Sequence, residues 1–172
     1  MPRSDVLEEL RQRATEPEGD GYRAWPGEGW GIELETGDVL WGLVRAIRPA
    51  LVLESGTGKA ISTRFLASAC QVNNHGRVVS FEPDAELIPT ARTRLRGLPA
   101  EVREGDTLAW RGERPDLVFI DSYPADRRAA EMEYWLAQPV FVAVHDAYRY
   151  AGLPGGLLLP VARGLWIGRG GA

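Results

Sequence analysis

A chain of 172 residues suits one domain built on one core. Its apolar fraction of 44% and charged fraction of 26% are ordinary for a globular protein. A net charge of -4 argues against a general nucleic-acid surface, and no apolar run is long enough to span a membrane.

The lone cysteine, Cys70, excludes an intrachain disulfide and any C-x-x-C zinc site, and it ends an apolar stretch as a small core residue does. The opening MPRSDVLEEL has no apolar signal core, so a cytoplasmic protein is expected. Arg92, Arg94 and Arg96 lie in a mixed-charge stretch and read as a solvated helix face.

Ser4 can cap a first helix to about Arg13, with Val6, Leu7 and Leu10 on one side. The turn-rich stretch that follows holds Tyr22, Trp25 and Trp30. Val39, Leu40, Leu43, Val44 and Ile47 give a second helical period from about Gly37 to Ile47, ended by Pro49. Strands and helices then alternate. Ala50–Glu54 is a short apolar run of the kind buried on both faces of a parallel sheet. A helix is expected at Ala60–Cys70, a strand at Arg77–Glu82, a helix at Asp84–Leu95 and a short strand at Ala100–Asp106. Asp116–Asp121 reads as a strand, Ala125–Leu136 as a helix and Val140–Asp146 as a fifth strand. Leu157–Val161 and Leu165–Arg169 are too close for a helical crossover and predict an antiparallel hairpin. The expected fold is α/β, with a mostly parallel sheet, an antiparallel C-terminal hairpin and helices on both faces.

In such a sheet, ligands bind beyond the carboxyl ends of the strands. Glu54, Glu82, Asp106, Asp121 and Asp146 stand at or next to those ends, a pattern for which a core has no use. After the first strand, Gly56 and Gly58 permit a sharp turn and a close backbone approach to a ligand. The following helix then offers free N–H groups to an anion. The spacing around Lys59 fails the Walker A pattern, so a phosphate-cradling loop of that kind is excluded. Glu82 suits the two hydroxyls of a ribose, or a helix N-cap. Asp106 suits a helix cap, an adenine amino group, or both.

Together, LVLESGTGKAIST, VVSFEPD, EGDT, VFID and VAVHD resemble, in that order, the motifs of class I S-adenosylmethionine-dependent methyltransferases. More narrowly, they are similar to the small catechol-type and cephalosporin-type O-methyltransferases, from about Gly37 to the C-terminus. The resemblance implies a Rossmann-like, seven-stranded sheet. It implies an N-terminal helix and aromatic lid segment at 1–35 and an S-adenosylmethionine-binding domain at 36–172. Glu54, Gly56, Thr57, Gly58 and Ser62 would surround the methionine moiety of S-adenosylmethionine. Glu82 and Pro83 would hold the ribose, Asp106 and Thr107 would flank the adenine, and Asp121 would reach the reaction centre. The region around Glu35–Gly37 falls where relatives close the cofactor site.

Many relatives also bind a divalent cation at the ends of strands four and five. Here the set would be Asp121, His145 and Asp146, taking Mg²⁺ or Mn²⁺; the oxygen ligands suit Mg²⁺, while the histidine tilts the choice toward Mn²⁺, Fe²⁺ or Zn²⁺. Such an ion would lower the pKa of an acceptor hydroxyl. Two departures stand out. The catechol-type lysine base is replaced by Ser122-Tyr123-Pro124, and His145 occupies a position where an acid is common. His145 therefore reads as either a metal ligand or a general base, and His145 and Asp121 are the expected catalytic residues. Tyr22, Trp25, Trp30, Tyr123, Tyr148 and Tyr150 are candidate acceptor walls or plain packing. The main expectation is metal-assisted O-methylation of a small molecule by an enzyme that contacts no nucleic acid or membrane, with a homodimer plausible. The alternatives are metal-independent N-methylation, a nucleotide-binding oxidoreductase, and a binding-only relative.

Overall fold

The computed structural model describes residues 5–15, 22–25, 31–150, 152, 153 and 155–171. Ser4 and Trp30 lie outside them. The helices are α1 (Asp5–Arg13), α2 (Leu34–Ile47), α3 (Ile61–Asn73), α4 (Ile88–Arg94) and α5 (Ala125–Leu136). The strands are β1 (Leu51–Ser55), β2 (Arg77–Glu82), β3 (Ala100–Glu104), β4 (Leu117–Ile120), β5 (Phe141–His145), β6 (Gly156–Leu159) and β7 (Leu165–Arg169).

The seven strands form one sheet in the order β3-β2-β1-β4-β5-β7-β6. β1 pairs in parallel with both β2 and β4, so the strand order reverses there, the place where open α/β sheets bind ligands beyond the carboxyl ends. β7 lies between β5 and β6, antiparallel to both. The expected α/β sheet with its terminal hairpin is therefore present.

Side-chain alternation divides the core. Val52, Val78, Leu117, Phe119 and Ala143 face α1, α2 and α3, where they meet Leu10, Leu40, Val44, Phe65 and Leu66. Leu51, Leu53, Val79, Val118, Ile120, Val142 and Val144 face the other way, toward Met132 and Trp135 of α5. Each fully buried leucine or phenylalanine contributes about 1.5–3 kcal/mol. Among the described residues α5 is the one α-helix on its face, so much of the binding edge on that side depends on it.

Several boundaries differ from expectation. α4 begins only at Ile88, after turns at 85–87, and Pro89 sits in its first turn, where a missing N–H costs nothing. α2 begins at Leu34, three residues early, because Thr36 and Glu33 close its first turn through a hydrogen bond of 3.1 Å. No helix of the described residues is long and apolar enough to cross a membrane.

Candidate active site

The loop after β1 is pinned to β2. The N–H groups of Gly56 and Thr57 donate to the Phe81 carbonyl at 3.0 and 3.1 Å. Gly56 has φ of +92°, and a Cβ there would lie 2.5 Å from the Asp121 carbonyl oxygen, so only glycine fits. Beside Gly58 a Cβ would meet nothing within 4 Å, which leaves open space over the loop. Ala60 is left-handed at φ 63° and no side chain caps α3, so the helix start keeps donors for a ligand.

Glu54 lies beneath this loop, wholly buried. One oxygen accepts from Thr63 Oγ1 at 2.5 Å and from the Ser80 hydroxyl, and the other, Oε1, has no hydrogen-bond partner. Burial pushes its carboxyl up to about 7, against the opposing pull of the Ser62, Ser80 and Thr63 hydroxyls. Thr57 Oγ1 lies 2.5 Å from Ser80 Oγ, so its hydroxyl supports this cluster. Glu82, at the end of β2, accepts from Gly58 N at 2.6 Å and Asp84 N at 3.0 Å, and Pro83 beside it is exposed. Each Glu82 oxygen keeps a second lone pair for a ligand hydroxyl.

Asp106 caps the short 3₁₀ turn Thr107–Ala109 by accepting from Leu108 N at 3.0 Å, as one of its readings had it. Thr107 faces elsewhere than its expected role requires. It is fully buried, its hydroxyl donates to Glu131 at 2.5 Å, and it accepts from Trp135 Nε1 at 2.9 Å. Glu131 of α5 is a residue the sequence reading missed. It is inaccessible to solvent and accepts from Thr107 N at 3.1 Å, Ser122 Oγ at 2.5 Å and Ser55 Oγ at 2.6 Å. It ties together β1, the turns after β3 and β4, and α5.

Over β4 and β5 the expected Asp121, His145 and Asp146 do converge, with one potential ligand atom from each within 4.8 Å of the others. Asp146 is left-handed at φ 55°, a conformation aspartate adopts more readily than most residues. Arg128 of α5 lies between the carboxylates, donating to Asp146 Oδ2 at 2.8 Å and Asp121 Oδ1 at 3.0 Å. Its other contacts are the carbonyls of Ser122 at 2.8 Å and His145 at 3.1 Å. His145 Nδ1 lies 3.1 Å from Asp121 Oδ1, and Nε2 lies 3.0 Å from Glu33 Oε2. Arg163, in the turn before β7, donates to Glu33 at 2.7 Å and lies 3.3 Å from Asp146 Oδ1.

These contacts set the protonation. Burial alone would lower the His145 pKa, but the charge and hydrogen bond of Asp121, and then Glu33, raise it to about 9. Burial would raise Glu33, but His145 and Arg163 bring it down to about 2. An imidazole between two carboxylates carries both protons, and an imidazolium has no lone pair for a metal or for a substrate proton. The cluster thus holds three carboxylates (Glu33, Asp121, Asp146) and three cations (Arg128, His145, Arg163). The guanidinium of Arg128 sits between Asp121 and Asp146, while Asp146 Oδ1 has no hydrogen-bond partner.

Arg128, Glu33 and Arg163 were also missed. For α5 a signal existed: Arg128 and Glu131 share the i, i+3, i+4, i+7 spacing of Met132 and Trp135, which puts two opposite charges on the buried face. Nothing comparable marks Glu33 or Arg163. Of the aromatic candidates, Trp25 is core, edge-on to Phe65 and donating to the Leu10 carbonyl at 3.0 Å. Tyr22 donates to the Pro160 carbonyl at 2.7 Å, Tyr150 packs on the α5-side core, and Tyr123 and Tyr148 are exposed. Glu35 is paired with Arg23 at 3.0 Å, and Gly37 is packed tightly under Phe65.

No protein-family profile matches the chain. A stretch of 100 residues, 55% of the chain, is 32% identical to an rRNA adenine N-6-methyltransferase of Streptomyces fradiae, and it spans only 30% of that protein. Across nearly the whole chain the likeness is to solved methyltransferases. One from Podospora anserina, bound to S-adenosylhomocysteine, has a TM-score of 0.69 at 15% identity, covering 97% of this chain and 86% of that one. The O-methyltransferase TomG of Streptomyces achromogenes, involved in tomaymycin synthesis and solved with S-adenosylmethionine, has a TM-score of 0.65 at 18% identity, covering 98% and 90%. The chain has the Rossmann-like fold of the class I S-adenosylmethionine-dependent methyltransferases.

Proposed function

We propose that this chain binds S-adenosylmethionine across the carboxyl ends of β1, β2 and β3 and transfers its methyl group to a small molecule held over β4 and β5. The observation that carries this reading is the loop Glu54–Ala60. Its two positive-φ glycines, its uncapped helix start and the half-satisfied Glu54 lie beside Glu82 at the carboxyl ends of β1 and β2. Glu54, Gly56, Gly58 and Ser62 would hold the charged methionine end, Glu82 and Pro83 the ribose, and Asp106 the adenine side. Thr107 contributes by shaping that turn through Glu131. When bound, the cofactor supplies an activated methyl, so the protein's task is in-line positioning and exclusion of water. O-methylation is the finer reading, supported by the name of the TomG neighbour.

Calorimetry with S-adenosylmethionine and S-adenosylhomocysteine tests the proposal. Saturable binding of both is expected, weakened in Glu82→Ala, and absence of both from the folded wild type would overturn it. A second reading, methylation of an RNA base, is favoured by the stretch shared with the Streptomyces fradiae protein. The net charge of -4 weighs against it, because RNA affinity rests largely on phosphate contacts. Methyl incorporation into ribosomal RNA under conditions where small phenols and amines stay unmodified would decide for RNA.

A further inference from the structure

We infer that the carboxylates over β4 and β5 form a cation clamp filled from within the chain, so that methyl transfer here is metal-independent and serves acceptors that bring their own nucleophile. The inference rests on the methyl-transfer reading for its chemistry and on the cluster's geometry for everything else.

Arg128 is not a surface arm able to swing aside. Its guanidinium is buried, bridges Asp121 and Asp146, and also donates to two backbone carbonyls. Expelling it would strand a cation and two carbonyls together, which no exposed ion pair would require. His145 is equally committed, with a carboxylate on each ring nitrogen and no exposed surface. Arg163 completes the set, bound to Glu33 and, at 2.8 Å, to the Gly31 carbonyl. A divalent ion entering between Asp121 and Asp146 would meet the guanidinium of Arg128 already seated there.

The same pairing removes the bases. Each carboxylate of the cluster already lies against a cation, Asp146 Oδ1 making no hydrogen bond but lying 3.3 Å from Arg163 Nε; His145 is doubly held, and Ser122 donates its hydroxyl to Glu131. Lysine is absent from the segment after β4. Within this cluster of described residues, an alcohol of ordinary acidity would find neither a metal nor a free base to ionise it. The acceptors that remain have a lone pair available at neutral pH: an amine or ring nitrogen, or an oxygen already ionised, as in a carboxylate or an acidic phenol. The acceptor's lone pair forms the bond to the methyl carbon as the carbon–sulfur bond breaks. The sulfur keeps that electron pair and becomes a neutral thioether, and a proton left on an amine product passes to solvent.

The test is a Mn²⁺ titration of the full chain, followed by electron paramagnetic resonance and thermal melting, beside an S-adenosylmethionine titration of the same sample. Expected are cofactor binding, no saturable Mn²⁺ binding at millimolar ion, and a melting temperature unmoved by chelator. Saturable Mn²⁺ binding that raises the melting temperature and is lost in Asp146→Asn would overturn the inference. Arg163→Met, at the partly exposed rim, and Arg128→Met, at the buried centre, each remove one cation. Either variant, if folded, is expected to gain Mn²⁺ affinity by about tenfold or more, and no gain in both counts against the clamp. If the cofactor fails to bind while Mn²⁺ is still refused, the methyl-transfer reading falls and the filled clamp stands.

Discussion

At the ends of β1 and β2 the acids are held by hydroxyls and backbone N–H groups; at the ends of β4 and β5 they are held by cations. Glu54 keeps one oxygen without a partner, and among the described residues Glu82 accepts its hydrogen bonds from the N–H groups of Gly58 and Asp84. Asp121 and Asp146, by contrast, share the guanidinium of Arg128, with His145 and Arg163 closing the ring; Asp146 Oδ1 also lacks a hydrogen bond, but it lies 3.3 Å from the Arg163 cation. The first arrangement leaves acceptor capacity and open space, which is what a ligand with hydroxyl and ammonium groups needs. The second leaves no net charge and joins the segment before α2, the turn before β7 and α5 to the strand ends. One half of the edge is built to receive and the other to hold.

The sharpest way to break this contrast is to compare stabilities across it. Arg128→Met strands two carboxylates away from water and is expected to cost about 3–5 kcal/mol in urea unfolding. Glu82→Gln keeps one acceptor oxygen and is expected to cost no more than about 1–1.5 kcal/mol. Equal losses in the two variants would mean that both halves are structural. Glu131→Ala stands between them. It removes the acceptor of three hydroxyls and one N–H, and about 2–4 kcal/mol is expected, since each buried donor left unsatisfied costs about 1–3 kcal/mol and some will reach water.

The receiving half was legible in the sequence and the holding half was not, for a physical reason. A ligand-facing loop needs glycines at fixed places and acids at strand tips, and both are local patterns: Glu54, Gly56, Gly58 and Glu82 could be read off directly. The clamp is made of pairs distant along the chain, Glu33 with His145 and Arg163 with Glu33, which no period or spacing encodes. Asp121, His145 and Asp146 were found as neighbours, but their meaning depended on Arg128, which reaches them from α5. The same limit applied to Thr107, whose hydroxyl is engaged by Glu131 and Trp135 of α5. The sheet itself was legible because alternating apolar runs and short gaps constrain it strongly; α4 was over-extended because turns at 85–87 resemble a helix in composition.

Cofactor affinity sharpens the comparison with a smaller effect. Glu82→Ala is expected to weaken S-adenosylmethionine binding about 10–100-fold, equivalent to about 1.4–2.8 kcal/mol, with both titrations read by calorimetry. Arg163→Met, on the holding side, is expected to leave that affinity within about threefold, because it touches none of the strand ends assigned to the cofactor. A larger loss in Arg163→Met than in Glu82→Ala would reverse the assignment of the two halves.

The smallest effect is a difference in pH signature. Glu54 has its carboxyl raised from 4.5 to about 7, so its contribution to stability is complete below 4.5 and is lost as pH rises through 7. His145 is raised from 6.5 to about 9, so its contribution is complete below 6.5 and is lost as pH rises through 9. Glu33 is lowered from 4.5 to about 2, so its contribution is complete above 4.5 and is lost as pH falls through 2. The receiving half therefore weakens from mildly acidic to neutral pH, and the holding half only at alkaline or strongly acidic pH. Unfolding curves of wild type, Glu54→Gln and His145→Asn across this range are expected to differ by about 1–2 kcal/mol, after allowance for coupling within the cluster. The Glu54→Gln difference should change mainly between pH 4.5 and 7 and the His145→Asn difference mainly between pH 6.5 and 9. If His145→Asn instead altered stability only through the acidic range, the ring would be neutral in the fold at neutral pH, and the clamp would lose one of its three cations.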